Sequence, residues 1–220
     1  MRTPLLPRWA LIVLLLTGGL QQAGADSSRP TAPPLQAGVH YELIGPEVPH
    51  TGSKPEVVEI FNFKCPHCFS LAPHTAAWAE KNKDRFVFKS VPVYWGKQTD
   101  IPVRAFFAAE FLGRGEAMKQ AILKAHFGNS ADIENLEEMV FLAEATGMDA
   151  QSFRSHMNSF GVSARITQAK ALQQAFRSSS TPTLVVNSTY RVLPGKHAKG
   201  TADTVDYEKL FMILETLAAR

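Results

Sequence analysis

The residues best suited to chemistry in this chain are its only two cysteines, which stand as Cys65-Pro66-His67-Cys68. Two thiols at this spacing can close into a disulfide and reopen by exchange, with a thiolate as the nucleophile. Two other chemistries compete for the same pair. A purely structural bridge would close a loop so short that little chain entropy is removed. A metal site would need more ligands than His67 and His74 can add, and there is no second cysteine pair. A redox-active dithiol accounts for the context as well as the composition. The β-branched, aromatic run Val57–Phe63 (VVEIFNF) precedes the motif. A helix should open inside it at Pro66, where the missing proline N–H is no loss. Neither a metal nor an organic cofactor is expected.

Position then separates the two sulfurs. Cys65 should sit at the helix N-cap, where unsatisfied N–H groups and the helix dipole favour an anion. His67, between the cysteines, can donate to the Cys65 sulfur or add positive charge near it. Cys68 falls three residues into the helix and should be more buried. Cys65 is therefore expected to be the exposed nucleophile and leaving thiolate, with Cys68 as the resolving thiol. A Cys65 pKa near ~4 in place of ~8.5 would favour the reduced form by ~4 kcal/mol at pH 7, or ~90 mV for two electrons. That margin separates an oxidant from a reductant.

The elements that must hold this pair can be followed along the chain. The apolar block Trp9–Leu20, preceded by Arg2 and Arg8 and followed by Ala23-Gly24-Ala25, has the form of a secretory leader cleaved after Ala25. Its length falls short of a membrane-spanning helix. Export across a membrane is expected. Residues 26–38, rich in Ser, Pro and Ala, read as a flexible entry segment. Strands are predicted at Val39–Ile44, Val57–Phe63, Phe86–Val93, Thr183–Val186 and Tyr190–Val192, with Asn187-Ser188 as a hairpin turn. The first helix should run to about Asn82 with a kink at Pro73. Residues 101–176 carry helical periodicity throughout, with Gly147 as one stop, and a last helix is predicted over 205–218. The order is β, β, α, β, helical block, β, β, α. This is an α/β domain (39–100 and 177–220) carrying an inserted all-helical domain (101–176).

Composition excludes other classes. The chain has 220 residues, 45% apolar and 20% charged, which is too apolar for a disordered protein. The first 25 residues hold two arginines and no acid, so the net charge of +3 falls to about +1 without them. No basic footprint for nucleic acid remains. His74, His126 and His156 read as surface or packing residues. Asn187-Ser188-Thr189 fits a glycosylation acceptor, a pattern frequent by chance. Phe69, Tyr94 and Trp95 fit either an apolar substrate surface or the core.

The segment VVEIFNFKCPHCFSLAP resembles the active-site strand and helix of the DsbA family, exported thiol-disulfide oxidoreductases of thioredoxin fold with an inserted helical domain. The resemblance covers essentially the whole chain beyond the leader. It implies a periplasmic oxidase that gives the Cys65–Cys68 disulfide to unfolded or reduced exported proteins. It further implies reoxidation by a membrane quinone-linked, DsbB-like oxidase. A monomer is expected. Thr181-Pro182, before TLVVN, matches the family's cis-proline loop, which faces the cysteines and pairs with substrate backbone. Glu59, six residues before Cys65 in a largely apolar strand, has a plain alternative reading as a solvent-facing edge residue. The resemblance instead implies a buried carboxylate that relays the proton of Cys68. One position departs from the pattern: many oxidases of the family carry Val where Thr181 stands, and threonine there is familiar from isomerase-type relatives. Isomerase or reductase activity is therefore the alternative, and a non-catalytic chaperone or binding module a lesser one. Only 13 residues separate Asp26 from Val39, too few for the upstream dimerisation domain that such isomerases use.

Overall fold

Proline, glycine and capping side chains mark most element boundaries in the computed structural model, which describes residues 34–45, 52–199 and 204–220. The leader (1–25) and residues 26–33 of the entry segment lie outside the described residues. Strand β1 (Glu42–Leu43) is followed by β2 (Glu56–Phe61), helix α1 (Pro66–Lys81) and β3 (Val87–Pro92). Five helices come next: α2 (Ile101–Phe111), α3 (Gly115–Asn129), α4 (Leu136–Ala145), α5 (Ala150–Met157) and α6 (Phe160–Ala175). Strands β4 (Thr183–Val186) and β5 (Tyr190–Val192), a short 3-10 turn (Pro194–His197) and α7 (Tyr207–Ala218) complete the chain.

The strands form one mixed sheet in the order β1-β5-β4-β2-β3. β2 runs parallel to β3 and antiparallel to β4, so it is an interior strand, and β3 is an edge. The expected hairpin between β4 and β5 is present. Asn187 and Ser188 both take positive φ, 49° and 54°, the geometry that lets a two-residue turn follow the twist of its strands. β1 is much shorter than the predicted Val39–Ile44. Among the described residues its one ladder partner is the three-residue β5, and glycines at positive φ (Gly38 and Gly45) stand on either side.

The helical block resolves at its caps. Asn135 accepts from the N–H groups of Glu137 and Glu138, Asp149 from Ser152, and Ser159 from Val162. Each such oxygen satisfies an otherwise orphaned helix donor, worth about 1 kcal/mol. The Ser159 cap starts α6 at Phe160, a boundary that periodicity alone does not mark. Gly147 ends α4 at φ 82°, as expected. Helix α1 continues through Pro73.

Two apolar cores share the sheet. Val58, Ile60 and Phe61 of β2 pack with Phe106, Phe107, Met118, Ile122 and Phe153 of the helical block. Val57 packs instead with Leu71 and Trp78 of α1, Leu184 of β4, and Leu210, Ile213 and Leu214 of α7. β2 is thus fixed on both sides by side chains removed from water, each large one worth about 1.5–3 kcal/mol. The motif at its end inherits that rigidity. Among the described residues, no helix is long and apolar enough to cross a membrane.

Candidate active site

The turn between β2 and α1 is built by Asn62, which is buried where the apolar strand ends. Its Nδ2 donates to the Val93 carbonyl (2.9 Å) and to Gln98 Oε1 (2.7 Å). Its Oδ1 accepts from Lys64 N–H at 2.8 Å, and its carbonyl accepts from Cys65 N–H at 3.1 Å. Lys64 reaches across to Glu134 at 3.0 Å, and Glu134 also accepts from Thr99 N–H. Nothing in the motif names Asn62. The available signal was a lone amide in the run VVEIFNF, three residues before Cys65.

Cys65 occupies the N-cap position of α1 in extended conformation (φ −96°, ψ 117°), and no acid sits in the first turn. Cys68 N–H and Phe69 N–H both donate to the Cys65 carbonyl at 3.1 Å. Both cysteines are free thiols, Cys65 half-buried and Cys68 fully buried. The Cys65 pKa is lowered from 9.0 to about 5. The Cys68 thiol as donor is the largest cause, followed by the Thr181 hydroxyl and the backbone N–H groups of Cys68 and His67. Burial opposes the shift, because desolvation disfavours an anion. Cys68 moves the other way and is held far above an ordinary thiol, first by burial, then by the neighbouring Cys65 and by the charge of Glu59. The two sulfurs are therefore displaced in opposite directions, Cys65 towards the anion and Cys68 towards a persistent thiol. His67 takes part through its backbone N–H, while its side chain is exposed.

Thr181 and Pro182 lie beside the motif. Their peptide bond is cis. The Thr181 carbonyl accepts from the Cys65 thiol at 3.2 Å, across 116 residues of chain. The loop is held from behind: Thr183 Oγ1 donates to the Ser180 carbonyl at 2.7 Å, and Ser178 Oγ does so at 3.1 Å. A groove of about 340 Å³ starts here, bordered by His67, Leu71, Thr181, Pro182, Lys196 and Tyr207. Next to Cys68, Phe69 stacks on Phe127 (centroids 5.0 Å), and both Phe69 and Trp95 keep over a third of their surface exposed. Tyr94 is half-buried under Lys170.

Glu59 is not a solvent-facing edge residue. β2 lies between β3 and β4, and Glu59 has no exposed surface. Lys119 Nζ, from α3, donates to Glu59 Oε2 at 2.5 Å, and Ser90 Oγ donates to the same oxygen at 3.3 Å. Lys119 Nζ also donates to Ser90 Oγ at 2.9 Å, and it lies 4.7 Å from the centre of the Phe61 ring. Among the described residues, Glu59 Oε1 has no hydrogen-bond partner. Lys119 and Ser90 escaped the sequence reading. The only cue was a lysine set against the apolar stripe Met118, Ile122, Leu123. His74 stacks on Tyr207 (3.7 Å), His126 packs edge-on to Phe127, and His156 meets the Ser152 carbonyl. Among the described residues, no three potential ligand side chains gather as a metal site.

Relatives carry the same architecture. Residues 56–205 match the family model for the DSBA-like thioredoxin domain. The thiol:disulfide interchange protein DsbA of Pseudomonas aeruginosa is 30% identical over 208 residues, covering 94% of this chain and 98% of that protein. The Burkholderia cepacia protein of that name is 31% identical over 202 residues, 90% of this chain and 93% of that one. The crystal structure of Pseudomonas aeruginosa DsbA superposes with a TM-score of 0.74 at 27% identity, over 84% of this chain and 93% of that one. The oxidoreductase DsbA of Xylella fastidiosa gives 0.71 at 30% identity, over 84% and 97%. The likeness thus extends over whole proteins rather than a local motif, and this chain, with its cysteine pair at a helix N-terminus beside a mixed five-stranded sheet, belongs to the DsbA-like family of the thioredoxin fold.

Proposed function

We propose that this chain oxidises protein dithiols by exchange through Cys65 and Cys68, as an oxidoreductase of its family. The observation that carries the reading is the opposite displacement of the two thiol pKa values. In the disulfide form, a substrate thiolate attacks the Cys65 sulfur. The Cys65–Cys68 bond breaks, and Cys68 leaves with the electron pair and takes up a proton. A second substrate thiolate then attacks the substrate sulfur of the mixed disulfide, and Cys65 departs as a thiolate. Two electrons have passed from the substrate dithiol to the enzyme, and the substrate has gained a disulfide. The low Cys65 pKa makes it the better leaving group in the second step.

Thr181 and Pro182 offer backbone to the substrate beside Cys65, and the adjoining groove takes the flanking residues. His67 and Pro66 shape the first turn. Glu59 accepts the Cys68 proton when the enzyme is reoxidised, a step assigned to a membrane quinone-linked, DsbB-like oxidase. The substrates are unfolded or reduced exported proteins. The pattern of residues 1–25 supports export to the periplasm with cleavage after Ala25. The run of helices α2–α6 between β3 and β4 supports a thioredoxin-fold domain over 39–100 and 177–220 with an insertion at 101–176.

The contribution of Thr181 to the Cys65 environment supports isomerase activity as a second reading. One assay pair separates the two. The oxidised chain should restore reduced ribonuclease rapidly, and Cys65→Ser should abolish this. Recovery of scrambled ribonuclease without added oxidant, together with slow oxidation of the reduced form, would favour the isomerase. Full activity of Cys65→Ser would remove both readings.

A further inference from the structure

Among the described residues, the groove beside Cys65 is chemically one-sided. Its described lining contains no carboxylate. It includes the basic residues His67 and Lys196 and the hydroxyl groups of Ser70, Ser180, Thr181 and Tyr207. Lys196 stands in the 3-10 turn that follows β5, and about half of its side chain is exposed.

Lys196 is not free of a counterion. Its Nζ lies 2.7 Å from Glu42 Oε1. Glu42 is shared, however, because Arg191 bonds to its other oxygen through both Nε and Nη2. One carboxylate faces two cations, so among the described residues the cluster of Glu42, Arg191 and Lys196 keeps one net positive charge beside the groove. An exposed lysine–carboxylate pair is worth only about 0–1 kcal/mol, so its ammonium can turn to a second acid at little cost.

We infer that Lys196 is a specificity-determining residue: the groove favours substrate segments that carry an aspartate or glutamate a few residues from the reacting cysteine. The occupant is an extended stretch of an unfolded protein, and the inference rests on the exchange reading of Cys65. Neutral and basic segments still react, since the bond made and broken is the same. They lack the added attraction.

The test is a double-mutant cycle between enzyme and peptide, which cancels the effect of an acid on the peptide's own thiol. Oxidised wild type and Lys196→Gln are reacted with cysteine peptides bearing Asp or Asn at each of three positions on either side. Mixed-disulfide formation is followed by mass spectrometry in low salt. At one or more positions on one side of the cysteine, the Asp/Asn rate ratio should be about two- to five-fold larger for wild type. The excess should vanish in 0.5 M salt, where charges a few ångströms apart are screened. Glu42→Gln, which releases the ammonium, should enlarge it. Lys209→Gln, a cation outside the groove lining, should leave it unchanged. Equal ratios for wild type and Lys196→Gln at every position would overturn the inference. Failure of every peptide to react with Cys65 would instead overturn the exchange reading.

Discussion

Acidification should erase a stability advantage that only the dithiol form possesses. The Cys65 thiolate exists in the reduced protein and not in the disulfide. Its pKa is depressed from 9.0 to about 5, so its stabilisation is fully present above pH 9 and is lost as pH falls through about 5. At pH 7 the gap to the folded pKa is two units, or about 2.7 kcal/mol at 1.36 kcal/mol per unit. Cys65 is only half-buried, so solvent screening reduces this to about 1–2 kcal/mol. In potential this is roughly 20–45 mV for two electrons, in the oxidising direction. The disulfide form has its own advantage, a cross-link that restrains the unfolded chain by about 2 kcal/mol for a loop this short. That term does not change with pH. The measurement is therefore a difference: urea unfolding of the reduced and oxidised proteins at matched pH between 7 and 4, without oxygen. Other titrating groups are common to both forms and cancel to first order. The reduced form should lose about 1–2 kcal/mol relative to the oxidised form across this range. A difference that stays flat, or moves towards the reduced form on acidification, would refute the electrostatic reasoning.

Further outcomes follow from the buried groups around the pair. Lys119→Met leaves the Glu59 carboxylate buried without its cation and should cost about 3–5 kcal/mol in urea unfolding. Adding Glu59→Gln should recover most of that loss, and a single-variant cost below about 1 kcal/mol would show that the pair is not charged. Thr181→Val removes a hydroxyl that helps lower the Cys65 pKa, so the thiolate absorbance midpoint should rise by about one unit and the oxidising power should fall. A midpoint unchanged by that substitution would remove Thr181 from the electrostatics.

What could be read in the sequence was local. The β2–Cys65-Pro66-His67-Cys68–α1 unit is contiguous, so strand propensity, a proline at the first helical position and the cysteine spacing all fall within about 20 residues. The hairpin at Asn187-Ser188 and the stop at Gly147 were legible for the same reason. The approach of Thr181 to Cys65 spans 116 residues, and no periodicity contains it; the family pattern supplied it. Glu59 shows the limit most plainly. Its burial follows from β2 being an interior strand, which depends on β4 joining from the far end of the chain. Lys119 is 60 residues from its partner and reads as the flank of an apolar stripe until the sheet is assembled. Asn62 was missed because its bonds go to Val93 and Gln98 beyond the next strand.

Exchange in the oxidising direction rests on the first sulfur of the pair being an anion at neutral pH. Titrating the reduced protein by its thiolate ultraviolet absorbance, with Cys65→Ser as the blank, tests it directly. A single transition near pH 5, absent from the blank, is the predicted result. A transition above about pH 7.5, in the range of an ordinary thiol, would mean that Cys65 is not a stabilised thiolate.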